Sequence, residues 1–416
     1  MRVLWFSNTP ALGKDVLENG QKIKSTGGWL KSLNHLIESR VELHVAFHFP
    51  YKKDTFFYSN TTFHPLYTNN IYLSLLRKRI GLKLSEDFYI DLYRNLIDKV
   101  QPDLIHIHGT ENFFLSIIES IDIPIIVSIQ GNLTVYNQKF NSGFLGKYLN
   151  LNEFSSIKDF LIGPRSFKNS KIFFEEMSIY ERKRMLNIRY IFGRTDWDYR
   201  ITRVLSPKSQ YFVGNELLRD SFYEHHWNNV YTQGSIRLFT TNGDSYYKGI
   251  ETVFHCITLL IGLGIQVEWH IAGLNEKSLV VSICKKFLGQ NFPKKGFKLM
   301  GSLDEFELVD ELMKSHIYVM PSHIENSPNN LCEAMILGLP CVATFAGGTG
   351  SILKDGEEGI LVQDGDPWAM TGAIIELMRD PDKANMYGTN ARKRALKRHD
   401  KETVVQEYLT VYNSLI

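Results

Sequence analysis

The sequence predicts an α/β protein built from two parallel-sheet domains, and three observations predict it. Its 416 residues are enough for two or three domains at roughly 100–200 residues each. Short β-branched runs alternate along the chain with longer segments of helical period, the pattern of parallel α/β architecture. No repeat of about 20–50 residues is visible, which favours two similar domains over a solenoid.

In the first half the apolar runs are Val3–Phe6, Val41–Phe47, Leu104–Ile107, Ile123–Ile129 and Tyr190–Phe192. In the second half they are Arg237–Thr241, Val267–Ala272, Lys298–Met300, Ile317–Met320 and Cys341–Thr344. Each set is expected to build one parallel sheet covered by helices on both faces. Ser206-Pro207 opens an irregular stretch and Tyr231–Ser235 precedes a fresh strand, so the boundary falls between 205 and 235. We set the domains at 1–210 and 211–400. From residue 250 the pattern is helical, with Ile250, Val253, Phe254, Ile257, Leu260 and Ile261 on one face. Residues 401–416 stand apart as an amphipathic helix (Val405, Tyr408, Leu409, Tyr412, Leu415). It lies beyond the last strand and is free to pack back across the first domain.

Composition removes several classes of function. Hydrophobic residues make up 44% and charged residues 22%, ordinary globular values that exclude disorder. Forty-seven basic against forty-five acidic residues give a formal +2, too balanced to predict a nucleic-acid partner. No apolar run approaches the ~18–20 residues that span a bilayer, and MRVLWFSNTP reads as a core strand rather than a secretory signal. Cys256, Cys284, Cys332 and Cys341 contain no C-x-x-C pair and read as buried free thiols in a reducing compartment. The expectation is a cytoplasmic enzyme.

The stretch Pro321–Pro340 carries the chemistry. It follows an apolar strand and holds its own helix punctuation: Ser327 as N-cap, Pro328 at the first helical position and Gly338 at the stop. Glu325 then lies just outside a helix N-terminus and Glu333 inside the helix. Such an end offers N–H groups and the positive end of a dipole to a phosphate. Flanking carboxylates accept hydrogen bonds from sugar or ribose hydroxyls; the bland alternative is a surface helix with incidental acids.

With these residues the stretch ENSPNNLCEAMILGLPCVAT resembles the Glu-x7-Glu signature of retaining, nucleotide-sugar-dependent glycosyltransferases of family 4. The similarity continues through GGTGSILKDGEEGILVQDGDPWAM, and upstream through Lys248-Gly249 and LMGSLDEFELVDELMKSHIYVMPS, covering most of residues 236–400. It is thinner at Gly27-Gly28, Pro102–His108 and Ile123–Gln130. The resemblance implies the GT-B architecture: two Rossmann-like domains facing a cleft, with the last helix crossing back to the first. It also implies a nucleoside-diphosphate sugar (UDP- or GDP-sugar) as donor on the second domain, and a glycan or lipid-linked acceptor on the first. Surface-polysaccharide assembly in a bacterium is the setting by analogy.

By the same resemblance Glu333 binds the ribose hydroxyls, and Lys248 neutralises the phosphates. Glu325 and the backbone of Asn326, Ser327, Pro328, Asn329, Asn330 and Leu331 hold the transferring sugar and the diphosphate. Gly27, Gly28, Gly243 and Gly301 complete the donor set. Lys248 and the helix dipole supply charge stabilisation without a metal, so neither metal nor cofactor is expected.

Two departures from the family stand out. An Arg usually precedes the Lys by five residues, but TTNGDSYYKG has Gly243 there; Arg194 is the candidate substitute. Gln130 stands where many members place a His that touches the sugar, and Gln cannot titrate near neutral pH. These departures keep open a second reading, a GT-B protein that binds nucleotide-sugar or glycan without catalysis.

Weaker signals remain. His106 and His108 share a strand face and Glu111 follows; His108, Glu111, Gln130 and Arg194 form the acceptor candidates, against a buried and satisfied His. Asp196-Trp-Asp198 reads as solvated surface, and Asp366-Pro367 as a helix start. Gly347–Gly350 lacks the G-x-G-x-x-G spacing of a dinucleotide loop. The basic clusters Leu76–Ile80 and Glu181–Arg184 read as solvated helix faces, or as a peripheral contact with the inner face of a membrane.

Overall fold

A computed structural model describes residues 1–12, 28–67, 86–143 and 167–416. The chain divides into two compact units. Of the described residues, 1–12, 28–67, 86–137, 167–217 and 400–416 form the first, and 138–143 and 218–399 the second.

The first unit holds an eight-stranded sheet of β1 (Arg2–Ser7), β2 (Glu42–Phe49), β3 (Phe56–Tyr58), β4 (Thr61–Tyr67), β5 (Leu104–His108), β6 (Ile125–Ser128), β7 (Tyr190–Gly193) and β8 (Gln210–Val213). The strand order is β3-β4-β2-β1-β5-β6-β7-β8. All neighbours run parallel except β3 and β4, an antiparallel pair, so the sheet is mixed rather than wholly parallel as expected. The interior strand β5 is buried along its whole length, which is why its sequence is a continuous run. The edge strand β8 is partly exposed and lacks such a run. It pairs with β7 and carries the first unit past the expected boundary at 210, to residue 217.

Helices α1 (Gly28–Ile37), α2 (Glu86–Val100), α3 (Leu133–Lys139), α4 (Phe167–Met185) and α5 (Asp196–Leu205) lie in the chain before residue 218, where the main part of the second unit begins. That unit has the order β11-β10-β9-β12-β13-β14, all parallel. Its strands are β9 (Ile236–Thr241), β10 (Val267–Ala272), β11 (Phe297–Gly301), β12 (Ile317–Met320), β13 (Cys341–Thr344) and β14 (Ile360–Val362). Its helices are α6 (Asp220–Glu224), α7 (Ile250–Gly262), α8 (Leu279–Leu288), α9 (Glu305–Met313), α10 (Asn329–Leu337), α11 (Thr349–Ile352), α12 (Pro367–Arg379) and α13 (Pro381–Arg398). As read from sequence, Asp366 caps α12, accepting from Trp368 N at 2.9 Å, with Pro367 at the first position.

The last helix, α14 (Lys401–Leu415), belongs to the first unit. Val404, Val405, Tyr408 and Tyr412 join a core with Val3, Trp5, Leu33 and Val45. Tyr412 Oη accepts from Trp5 Nε1 at 3.0 Å and meets His106 Nδ1 at 2.6 Å. Among the described residues no helix is long and apolar enough to cross a membrane. The four cysteines are free and buried.

In each sheet the strand order reverses at one point, between β1 and β5 in the first and between β9 and β12 in the second. Open α/β sheets leave a crevice beyond the carboxyl ends of the strands at such a point, where ligands bind.

Candidate active site

In the second unit the crevice lies beyond β9 and β12. The chain leaves β9 through Asn242 and Gly243 to a short 3₁₀ turn, Tyr246–Lys248, and then Gly249. Gly249 has φ +68°, and a Cβ there would run into the Pro321 carbonyl oxygen. The glycine is required twice over, by conformation and by close approach. It sets Lys248 against the loop leaving β12: Lys248 Nζ lies 2.6 Å from Glu325 Oε1, which also accepts from Ser322 Oγ at 2.7 Å. Burial alone would lower the Lys248 ammonium, but Glu325 outweighs it and holds Lys248 above its ordinary value.

Glu325 is buried, and its backbone is clamped from behind. Gly348 N donates to the Glu325 carbonyl at 2.9 Å, and a Cβ on Gly347 (φ +58°) would strike that same oxygen. The Gly347-Gly348 pair, dismissed as a dinucleotide loop, thus fixes the first carboxylate of the motif. Helix α10 starts one residue later than its punctuation implied. Pro328, not Ser327, is the N-cap, with φ −71° and ψ 106°, and its carbonyl takes the N–H groups of Leu331 and Cys332 at 3.1 Å. A proline already fixed at that φ fits this flanking position as well as the first helical one. Gly338 ends the helix at φ +92°, as expected.

Asn330 Nδ2 donates to the Thr241 carbonyl at 3.1 Å, tying the start of α10 to the end of β9, and Leu331 is wholly buried. Asn326 is buried, and Asn329 is partly exposed. Gly301 bonds back to Leu274 at the end of β11, and a Cβ at Gly243 or at Gly301 would meet nothing within 4 Å.

Glu333 is buried on α10 and grips Arg219 in a two-pronged ion pair, Nε to Oε1 at 2.8 Å and Nη2 to Oε2 at 2.7 Å. Burial raises the Glu333 carboxyl and Arg219 pulls it back, leaving it above the ordinary range. Arg219 was not anticipated; it stands in the irregular stretch before α6, where no local signal marks it. His323 was also missed, although it lies inside the motif. Its Nε2 meets Glu251 Oε1 at 2.6 Å and its Nδ1 faces Asp364 Oδ2 at 3.4 Å, with Lys139 Nζ 3.6 Å from Asp364. Burial works against the charged imidazole, yet the two carboxylates push His323 up to about 9.

In the first unit the crevice lies beyond β1 and β5. His108 is buried with neither ring nitrogen hydrogen-bonded, stacked on His106 at 3.9 Å and edge-on to Trp5 at 4.7 Å. Burial and then the Arg194 charge push it down to about 3. The satisfied histidine of the pair is His106, bonded to Ser128 Oγ at 2.7 Å as well as to Tyr412. Glu111 folds back over Gly109, accepting from Asn8 Nδ2 at 2.9 Å and from Gly131 N at 3.1 Å, and burial raises it to about 7. Gln130 is partly exposed beside Gly131. Glu111 and Gln130 therefore meet over Gly109, whereas His108 packs against His106, Trp5 and Trp29.

Arg194 is committed elsewhere: Nη1 lies 2.5 Å from Glu216 Oε1 and Nη2 donates to the Ile129 carbonyl at 2.5 Å, in buried surroundings. Its charge is spent on Glu216. Gly28 begins α1, whereas Gly27 and Leu76–Ile80 lie outside the described residues.

Two surface expectations are corrected. Asp198 is fully buried, where it forms a capping box with Thr195 and accepts from Arg194 N and the Tyr211 hydroxyl. In the cluster Glu181–Arg184 both ends are buried. Glu181 accepts from Thr110, Leu133 and Thr134, and Arg184 pairs with Glu86 and Glu119. Hydroxyl and N–H donors around Glu181, and two carboxylates around Arg184, offset the cost of burying these groups. Among the described residues no group of three or more His, Cys, Asp or Glu is placed to hold a metal.

Two doubly wound sheets, with a helix N-terminus bracketed by two acids at the switch point of the second, define a GT-B protein. The fold is shared along the full chain with the sucrose-phosphate synthase of Thermosynechococcus elongatus (TM-score 0.70, 14% identity, covering 100% of this chain and 98% of that one). It is shared equally with HepE of Anabaena, solved with UDP and glucose (TM-score 0.64, 13% identity, 100% of both chains). Residues 225–394 match the model of the family described as glycosyl transferases group 1, so the second unit is similar to that family. The capsular polysaccharide biosynthesis glycosyltransferase CapM of Staphylococcus aureus is 25% identical over 170 residues, 41% of this chain and 43% of that protein. The first curated relatives are matched over only 28–43% of their length.

Proposed function

We propose that the chain is a retaining, metal-independent glycosyltransferase that moves a sugar from a UDP-sugar to a glycan or lipid-linked acceptor. The observation that carries this reading is the pair Glu325 and Glu333 on either side of the α10 N-terminus, with Lys248 locked to Glu325 at 2.6 Å. Glu333 accepts the ribose hydroxyls, and the helix end and Lys248 take the diphosphate. As the bond between the anomeric carbon and the diphosphate oxygen breaks, the acceptor oxygen bonds to that carbon on the same face and its proton passes to the departing phosphate. Lys248 stabilises the negative charge that grows on the leaving group, and Glu325 supports the electron-poor sugar. The acceptor lies against Glu111 and Gln130 of the first unit.

UDP is favoured over GDP because HepE is solved with UDP and glucose. Surface-polysaccharide synthesis is favoured because CapM serves it. The four buried thiols support a cytoplasmic location. The absence of an Arg at Gly243 favours a second reading, donor binding without transfer.

The test is a thermal melt with UDP, GDP, ADP and NAD in excess chelator. Ligand at ~100 times its Kd stabilises by about 2.7 kcal/mol. We expect a shift with UDP that disappears in Glu333→Ala; no UDP shift under chelator sinks the metal-free donor site. Sugar transfer, or slow donor hydrolysis, then separates catalysis from binding alone.

A further inference from the structure

We propose that Arg219 is the positioning residue of the nucleoside subsite: it holds Glu333 ionised and in one orientation, so that the carboxylate meets the ribose preformed. This rests on the reading that Glu333 binds ribose. The Glu333 side chain is 9% exposed, and a lone carboxylate at such a site takes up a proton rather than remain charged. A protonated carboxyl gives up acceptor capacity, and ribose hydroxyls offer donors.

Arg219 prevents that change. Both of its contacts to Glu333 lie at 2.7–2.8 Å, a fork that fixes the plane of the carboxylate as well as its charge. Each carboxylate oxygen gives one lone pair to the fork and keeps another for a ligand. The guanidinium is itself held, 4.7 Å over the ring of Phe222, which is fully buried. A second acid, Glu305, stands close by and takes Ser221 N and Oγ at 3.2 and 2.6 Å. Its charge pushes Glu333 further toward protonation and strengthens the need for the cation.

UDP titrations of the full chain across pH test this, each variant compared with wild type at the same pH so that the nucleotide's own titration cancels. Arg219→Met should weaken UDP about tenfold or more at neutral pH, the worth of hydrogen bonds to a charged group. Part of that loss should return as pH rises and the bare carboxylate ionises. Arg219→Lys restores a cation without the fork, so it should lose less at neutral pH and recover at lower pH than Arg219→Met; it carries the same test where the methionine variant does not fold. The double variant Arg219→Met with Glu333→Gln should show no recovery with pH.

Wild-type affinity in Arg219→Met, or a loss that does not change with pH, overturns the assignment to Arg219. If at the same time Glu333→Gln weakens UDP, the ribose reading stands and only Arg219 falls. Undiminished UDP binding by Glu333→Gln overturns both.

Discussion

The two units hold their polar groups in opposite ways at the ends of their strands. In the second, the motif acids and the histidine just before them are held in ion pairs: Lys248 with Glu325, Arg219 with Glu333, and His323 with Glu251 and Asp364. In the first, the titratable candidates are pushed toward neutrality, His108 down to about 3 and Glu111 up to about 7, while the cation Arg194 is withdrawn to Glu216. A preorganised cation suits an anionic diphosphate, because the charge is in place before the ligand arrives and needs no reorganisation. Neutral donors and acceptors suit a hydroxyl-bearing acceptor. One fold, used twice, has been given two electrostatic characters.

The largest expected effect lies in the second unit. Lys248→Ala should lower donor turnover on the order of 10²–10³-fold, with a smaller change in donor affinity. Turnover within tenfold of wild type would move the leaving-group role to another cation. Next comes His323, raised above its ordinary value by its two carboxylates. Its contribution is complete below the unfolded value of about 6.5 and lost as pH rises through about 9. His323→Gln should therefore cost about 3 kcal/mol at pH 6, with the gap narrowing beyond pH 9. Denaturant melts at both pH values read this, and an equal gap at each would show that His323 is held neutral.

The smallest effect has the opposite sign and lies in the first unit. Glu111 has a folded value above its unfolded one, so wild type loses stability as pH climbs from about 4.5 through about 7. Glu111→Gln should be more stable than wild type by about 1–2 kcal/mol at pH 8 and no more stable at pH 4.5. A destabilised variant at pH 8 would mean that the carboxylate is charged there, and the contrast between the units would weaken.

Much of the candidate site in the second unit was legible because its information is local. Eight residues of helical spacing decide that Glu325 and Glu333 flank one helix end, and Gly338 stops that helix wherever it is packed. Lys248-Gly249 was legible as a motif, although the reason for its glycine, the Pro321 carbonyl, needed coordinates. Interior strands such as β5 and β12 announce themselves by unbroken apolar runs, whereas the edge strands β3, β8 and β14 are short and partly exposed and do not.

By itself, then, the sequence determined the alternation of strands and helices, the spacing of the two acids, and the apolar stripe of α14. Only the tertiary structure decided which charges meet. Arg219 reaches Glu333 across 114 residues, His323 reaches Glu251 across 72, and Tyr412 reaches His106 across 306. Local spacing sets what shares a helix face. The order of strands in a sheet sets which distant loops share a crevice, and burial there decides which groups keep their charge.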